Sequence, residues 1–242
     1  MLTRAIYDPS AWSVDSDRRR LQIFQQVTAK SLSGQVYKDW QWIVMLHPKD
    51  RFHDERVATI RRAAPTSKIV HYTGGVAKGR PLAVSAHQGW REAVGSARGD
   101  ILSTRIDDDD AFASDALGRI RKVADVCTAR TAIIIPNGYR VWAGRYSKVR
   151  HESNAWLSIC TPSGDPLVAF DVRHREVKKH APVRFVDERP GWLWVRHADT
   201  ISDFRDAEHP LSVDVKKHFS INWSVLPAPA KTSGPAGETF FG

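Results

Sequence analysis

A chain of 242 residues, 42% hydrophobic and 26% charged, is long enough for one domain with a sizeable core and is ordinary for a globular protein. No stretch approaches the ~20 apolar residues of a membrane helix, and Met1 to Pro9 lacks the positive start and long apolar core of a signal peptide. Two cysteines, Cys127 and Cys160, are too few for a disulfide framework or a zinc site, so a reducing cytoplasm is the simplest compartment. The net charge of +9 favours anionic partners: nucleotide sugars, phosphate-rich glycans, lipid headgroups or nucleic acid. No Arg/Lys run interleaved with aromatics builds a nucleic-acid module, which argues against the last.

In chain order, Thr3 to Tyr7 reads as a first strand closed by Asp8-Pro9. Asp15 or Ser16 caps a helix from about Asp17 to Lys30, with Leu21, Phe24 and Val27 on its apolar side. Arg18-Arg19-Arg20 falls in its first turn, where cations oppose the helix dipole. A solvated basic face is the plain reading; a bound anion or surrounding acids would also compensate. Ser31 to Gln35 ends this helix, and Asp39 to Leu46 follows as a strand broken by His47-Pro48. A short helix lies between Asp54 and Ala64, and a strand from Ser67 to Tyr72. Lys78-Gly79-Arg80-Pro81 is a basic loop before a helix from about Leu82 to Ser96, which Gly99 stops.

The next stretch organises the chain. Ile101, Leu102 and Ile106 read as a buried strand that ends in Asp107-Asp108-Asp109-Asp110. Four like charges in a row cost stability unless compensated, and a hard divalent cation with oxygen ligands would compensate them. In an extended chain Asp107 and Asp109 converge while Asp108 points away. One cation would then sit at the C-terminal end of a strand, the edge where open α/β sheets bind ligands. Acidic runs also serve as solvated loops or helix starts, and Ser114 or Asp115 is placed to cap a helix carrying Leu117, Ile120, Ala124 and Cys127. Ala132 to Pro136 is a fifth strand. Strands alternating with helices predict an α/β domain with a largely parallel sheet. Beyond it, Tyr139–Trp142, Trp156–Cys160, Leu167–Phe170 and Gly191–Val195 are short strand-like pieces of a mixed sheet completing a site. Residues 1–226 are read as one catalytic domain, and Pro227 to Gly242 as a mobile tail.

These stretches carry a resemblance. Ser31 to Val44 resembles the helix end and aromatic-rich strand near the start of many bacterial glycosyltransferases of the glycosyltransferase A fold. Gly89 to Ile101 resembles the helix and Gly-Asp turn before that family's Asp-x-Asp motif, and Thr104 to Ala111 resembles the motif itself. The Thr-Arg-hydrophobic-Asp-Asp-Asp-Asp form is closest to a rhamnosyltransferase subgroup, as is the Trp-Leu-x-x-x-His pattern of Gly191 to His197. The match spans roughly residues 17 to 204.

The resemblance implies a single-domain α/β fold, a Rossmann-like mixed sheet flanked by helices, and transfer of a sugar from a nucleotide-diphosphate donor to a glycan or lipid-linked hydroxyl acceptor. It implies Mn2+ or Mg2+ held by Asp109, with Asp107 a further ligand that lies near the ribose or assists through water, and His197 a third metal ligand or a phosphate contact. Asp108 and Asp110 would support or orient them. Nucleotide contacts are expected at Thr3, Arg4, Lys78, Arg105, Asp107 and Asp108. Arg105 pairs either with donor phosphates or with its acidic neighbours. An inverting transfer needs a carboxylate base; Asp187 and Glu188 are the candidates, with Asp171 behind them. Trp142, Trp156, Trp192 and Trp194 are available to stack on sugar rings or to pack the core. A metal-dependent nucleotidyltransferase or phosphohydrolase would also want clustered carboxylates, but no Gly-rich phosphate loop appears near the N-terminus. The positive charge further suggests peripheral contact with an anionic membrane.

Overall fold

The computed structural model describes residues 1–5, 13–71, 92, 99–127, 129–142, 144–165, 167–197 and 209–226. The basic loop at Lys78, the helix expected from Leu82 except for Glu92, and the tail from Pro227 lie outside the described residues.

The elements of the first half are β1 (Leu2–Ala5), α1 (Val14–Ile23), a π-helical turn (Phe24–Thr28), α2 (Ala29–Ser33), β2 (Ile43–Leu46), α3 (His53–Ala63), β3 (Lys68–His71) and β4 (Ile101–Asp107). The second half holds β5 (Ala111–Phe112), α4 (Ala116–Ala124), β6 (Thr131–Ile134), β7 (Asn137–Trp142), β8 (Arg145–Arg150), β9 (Leu157–Thr161), a 3-10 helix (His174–Lys179), β10 (Val183–Phe185) and β11 (Trp192–Val195). It closes with β12 (His209–Pro210) and α5 (Val213–Lys216), then a 3-10 turn at Trp223–Val225.

Seven strands form one sheet in the order β10-β6-β9-β4-β1-β2-β3, with β9 running against its neighbours. β2 reads Ile-Val-Met-Leu and is buried throughout, as a parallel strand covered on both faces must be. Because β1, β2, β3 and β4 run in parallel, they all end at one edge, at Ala5, Leu46, His71 and Asp107. A second sheet, β12-β8-β7-β11-β5, packs beside that edge. α4 places Ala116, Leu117, Ile120 and Ala124 against the core at helical spacing.

Helix α1 starts earlier than expected because Ser13, not Asp15 or Ser16, accepts the capping hydrogen bond, from the Ser16 N–H. Leu167–Phe170 is a loop, not a strand; Ala169 is buried against β6 and β9, with Leu167 partly buried beside it. Gly138 is required by close approach. A Cβ there would lie 2.1 Å from the Trp192 ring, which lies fully buried and stacked on Trp156 at 4.1 Å.

Candidate functional site

The four carboxylates are not an extended run. They form the tight turn that carries the chain from β4 of the first sheet into β5 of the second, closed by the Asp110 N–H donating to the Asp107 carbonyl at 3.4 Å. The expected alternation of Asp107 and Asp109 along a strand therefore does not apply.

Each carboxylate has a different environment. Asp110 is buried, its Oδ1 accepts the Val195 N–H at 3.0 Å, and its carbonyl accepts from Thr28 Oγ1 at 2.9 Å. It thus joins the π-helical turn, the acidic turn and β11. Burial, with the charges of Asp109, Asp107 and Asp108, pushes its carboxyl well above the usual carboxylate range, against the opposing Val195 hydrogen bond. Asp108 is also buried and lies 3.5 Å from Arg20 Nη2. Asp109 lies 3.8 Å from the same nitrogen and 3.1 Å from His197 Nε2. Burial opposes its ionisation, yet the His197 hydrogen bond and the charges of Arg20 and His197 outweigh that and hold its carboxyl below the usual value. Asp107, half-buried, ends β4 opposite the backbone of Arg4.

Arg20, which the sequence offers as part of a basic run with surrounding acids as one possible compensation, meets the acidic turn from α1. It is no part of a solvated face: its side chain is 11% exposed and spans Asp108 and Asp109. Of its basic neighbours, Arg18 packs over the Phe52 ring at 4.9 Å and Arg19 is exposed. Because α1 begins at Val14, its first turn holds Asp15 and Asp17, and Arg20 falls in its last turn, where a cation agrees with the helix dipole; the expected first-turn placement of the arginines does not hold.

Several expected site residues take other roles. Thr3 is fully buried and its hydroxyl accepts the Trp42 indole N–H at 2.8 Å, so it faces the core and not a nucleotide. Arg105 is held by backbone carbonyls and a ring beside β4. Its guanidinium donates to the Ala155 carbonyl at 2.6 Å and the Val172 carbonyl at 3.2 Å, and lies 5.5 Å over Phe170. Asp187 is clasped by Arg119 and Arg189, which hold its carboxyl low despite some desolvation. Glu188 binds Arg150 at 2.5 Å and Asn137 at 2.7 Å. Both precede β11, whereas Asp110 and His197 lie at its far end; four residues of strand separate them by about 13 Å. Trp156 and Trp192 are core residues, while Trp194 is half-buried beneath the Arg196 guanidinium at 4.7 Å.

Asp171 is placed differently. Its loop docks on the face of β4 that carries Ser103, Arg105 and Asp107: the Ala169 N–H donates to Ser103 Oγ at 2.9 Å, and Arg105 binds Val172 and Phe170. Asp171 is half-buried and accepts the Val168 N–H at 3.0 Å.

Among the described residues, no group of three or more His, Cys, Asp or Glu converges on one point as a ready metal cage. Asp109 and His197 do fit a shared cation. Donors 3.1 Å apart match the edge of an octahedron with metal–ligand distances of about 2.1 Å.

The sequence matches the family described as "Putative rhamnosyl transferase" over residues 5–208, a span that includes the acidic turn and His197. The chain belongs to this family. No curated protein sequence matches it. Among solved structures it is similar to S. aureus TarS, with a TM-score of 0.51 and 9% identity over 80% of this chain and 36% of that one. A second TarS structure, of residues 1–349 in complex with UDP, gives a TM-score of 0.49 and 10% identity over 79% of this chain and 59% of that one. The chain thus spans between about a third and three-fifths of the length of these neighbours. At such identity the likeness speaks to the fold alone, which is glycosyltransferase A-like. No helix among the described residues is long and apolar enough to cross a membrane.

Proposed function

We propose that this family member moves a sugar from a nucleoside-diphosphate donor to a hydroxyl of a glycan or lipid-linked acceptor, with Mn2+ or Mg2+ and with inversion at the sugar carbon. The observation that carries this reading is the Asp109–His197 contact at the turn ending β4, on the edge where four parallel strands finish. Asp109 and His197 would hold the ion, with Asp107 beside them. When bound, the cation supplies positive charge against the negative charge that grows on the departing diphosphate. Arg20 holds Asp108 and Asp109 in place, and Asp110, bonded to Val195, fixes the turn itself.

The acceptor hydroxyl must lose its proton as it attacks, and a carboxylate within reach takes it. Asp171 suits that role because its loop rests on the β4 face that carries Asp107, whereas Asp187 is clasped by Arg119 and Arg189 before β11. The net charge of +9 supports contact with an anionic membrane bearing the acceptor. Two free, buried cysteines suit a reducing cytoplasm.

The test is a thermal-shift screen of nucleoside diphosphates and nucleotide sugars with and without manganese, since ligands of the folded state raise its apparent stability. A nucleotide-dependent rise that needs manganese and disappears in Asp109→Ala is expected. An equal rise in that variant overturns the metal assignment.

A further inference from the structure

Away from the acidic turn, two histidines meet at the same strand edge. His53 opens α3, and His71 closes β3. Their Nε2 atoms are 3.0 Å apart, and their ring centroids 5.1 Å. His53 Nδ1 lies 3.2 Å from Asp54 Oδ1. A carboxylate only accepts, so the His53 proton belongs on Nδ1 and its Nε2 presents a lone pair. In the neutral pair the proton between the two Nε2 atoms is then that of His71.

We propose that His53 and His71 form a two-histidine site for a borderline divalent transition metal such as Zn2+ or Cu2+, distinct from the oxygen-rich turn. Two bonds of about 2.0–2.1 Å set their nitrogens about 3.3 Å apart at a tetrahedral angle. At a right angle the separation is about 2.9 Å. The observed 3.0 Å lies between these, so either geometry is reached by small ring rotations. Asp54 is the outer partner that metal-bound histidines commonly have, fixing tautomer and orientation. His71 meets the metal by moving its proton from Nε2 to Nδ1. Both rings reach solvent, so water completes the coordination sphere. Imidazole nitrogen selects these metals, whereas the carboxylate turn suits Mg2+ or Mn2+. The bound ion ties α3 to β3, an edge strand of the larger sheet among the described residues.

The experiment titrates the untagged full chain with CuCl2 and with ZnCl2 by calorimetry, and records the electron paramagnetic resonance spectrum of substoichiometric Cu2+. Because the sequence holds ten histidines, the variants His53→Gln and His71→Gln locate the site. Expected are one tight equivalent of copper with nitrogen hyperfine structure, affinity at least tenfold weaker in either variant, and unchanged binding in Asp109→Ala. Zn2+ should raise the melting temperature of the parent chain but not of the variants. Copper affinity and spectrum unchanged in both histidine variants would overturn the proposal, as would loss of the site in Asp109→Ala.

Discussion

The Arg20 counter-ion gives the sharpest prediction. Arg20→Met keeps most of the buried stem and removes the guanidinium that spans Asp108 and Asp109 at 3.5 and 3.8 Å. Breaking a buried ion pair from one side costs ~3–5 kcal/mol, but these contacts are long, so about 2 kcal/mol is the fitting figure. For a domain of this size each kcal/mol moves the melting temperature by roughly 2–4 °C, which gives a fall of about 4–8 °C without metal. Millimolar Mn2+ should reverse much of that fall, because the ion replaces the missing positive charge. The measurement is calorimetric melting of both proteins with chelator and with manganese. An unchanged melting temperature in chelator would refute Arg20 as the counter-ion. A fall that manganese leaves untouched would keep the counter-ion and remove the metal from the turn.

Asp171→Asn should lower turnover by roughly 10²–10⁴-fold while nucleotide affinity stays within a few-fold, as loss of a general base does; full activity would return the search to other carboxylates. Asp187→Asn should leave turnover within a few-fold but cost about 1–2 kcal/mol in denaturant melts, a figure discounted because that carboxylate is 43% exposed. Asp110 titrates well above the usual carboxylate range in the fold, so the folded state binds its proton more tightly than the unfolded chain does. Its contribution to stability therefore falls as pH rises from the ordinary carboxylate value through the folded one. Asp110→Asn should be more stable than the parent at neutral pH, with the gap closing in acid; a pH-independent difference would contradict the assignment. Gly138→Ala drives a methyl into the Trp192 ring and should cost about 1–3 kcal/mol, read as a lower denaturation midpoint.

Much of the site was legible locally. The strand at Ile101–Asp107 announces itself because an apolar run stops in four acids, and His197 follows the Trp-rich β11 within two residues. The partners are another matter. Arg20 stands 88 positions from Asp108, in a helix whose own pattern suits a solvated basic face, and nothing local says which way it turns. Asp187 looked available for chemistry because it sits just before Gly191-Trp192, yet Arg119 reaches it across 68 positions from α4. Thr3 occupies a strand suited to nucleotide contact, but its hydroxyl is taken by Trp42 inside the core.

These cases share a physical cause. A cluster of like charge states a demand that can be read from the chain itself, because repulsion depends on neighbours in sequence. Which cation meets the demand depends on packing between distant elements. Here the π-helical turn after α1 is bonded to the acidic turn through Thr28, which fixes α1 and Arg20 against the carboxylates. Arg20 and His197 thereby approach Asp109 from opposite halves of the chain. If an ion binds there, it enters a turn whose charge is already partly balanced. Metal affinity in this protein should therefore depend on residue 20 as much as on the ligands themselves.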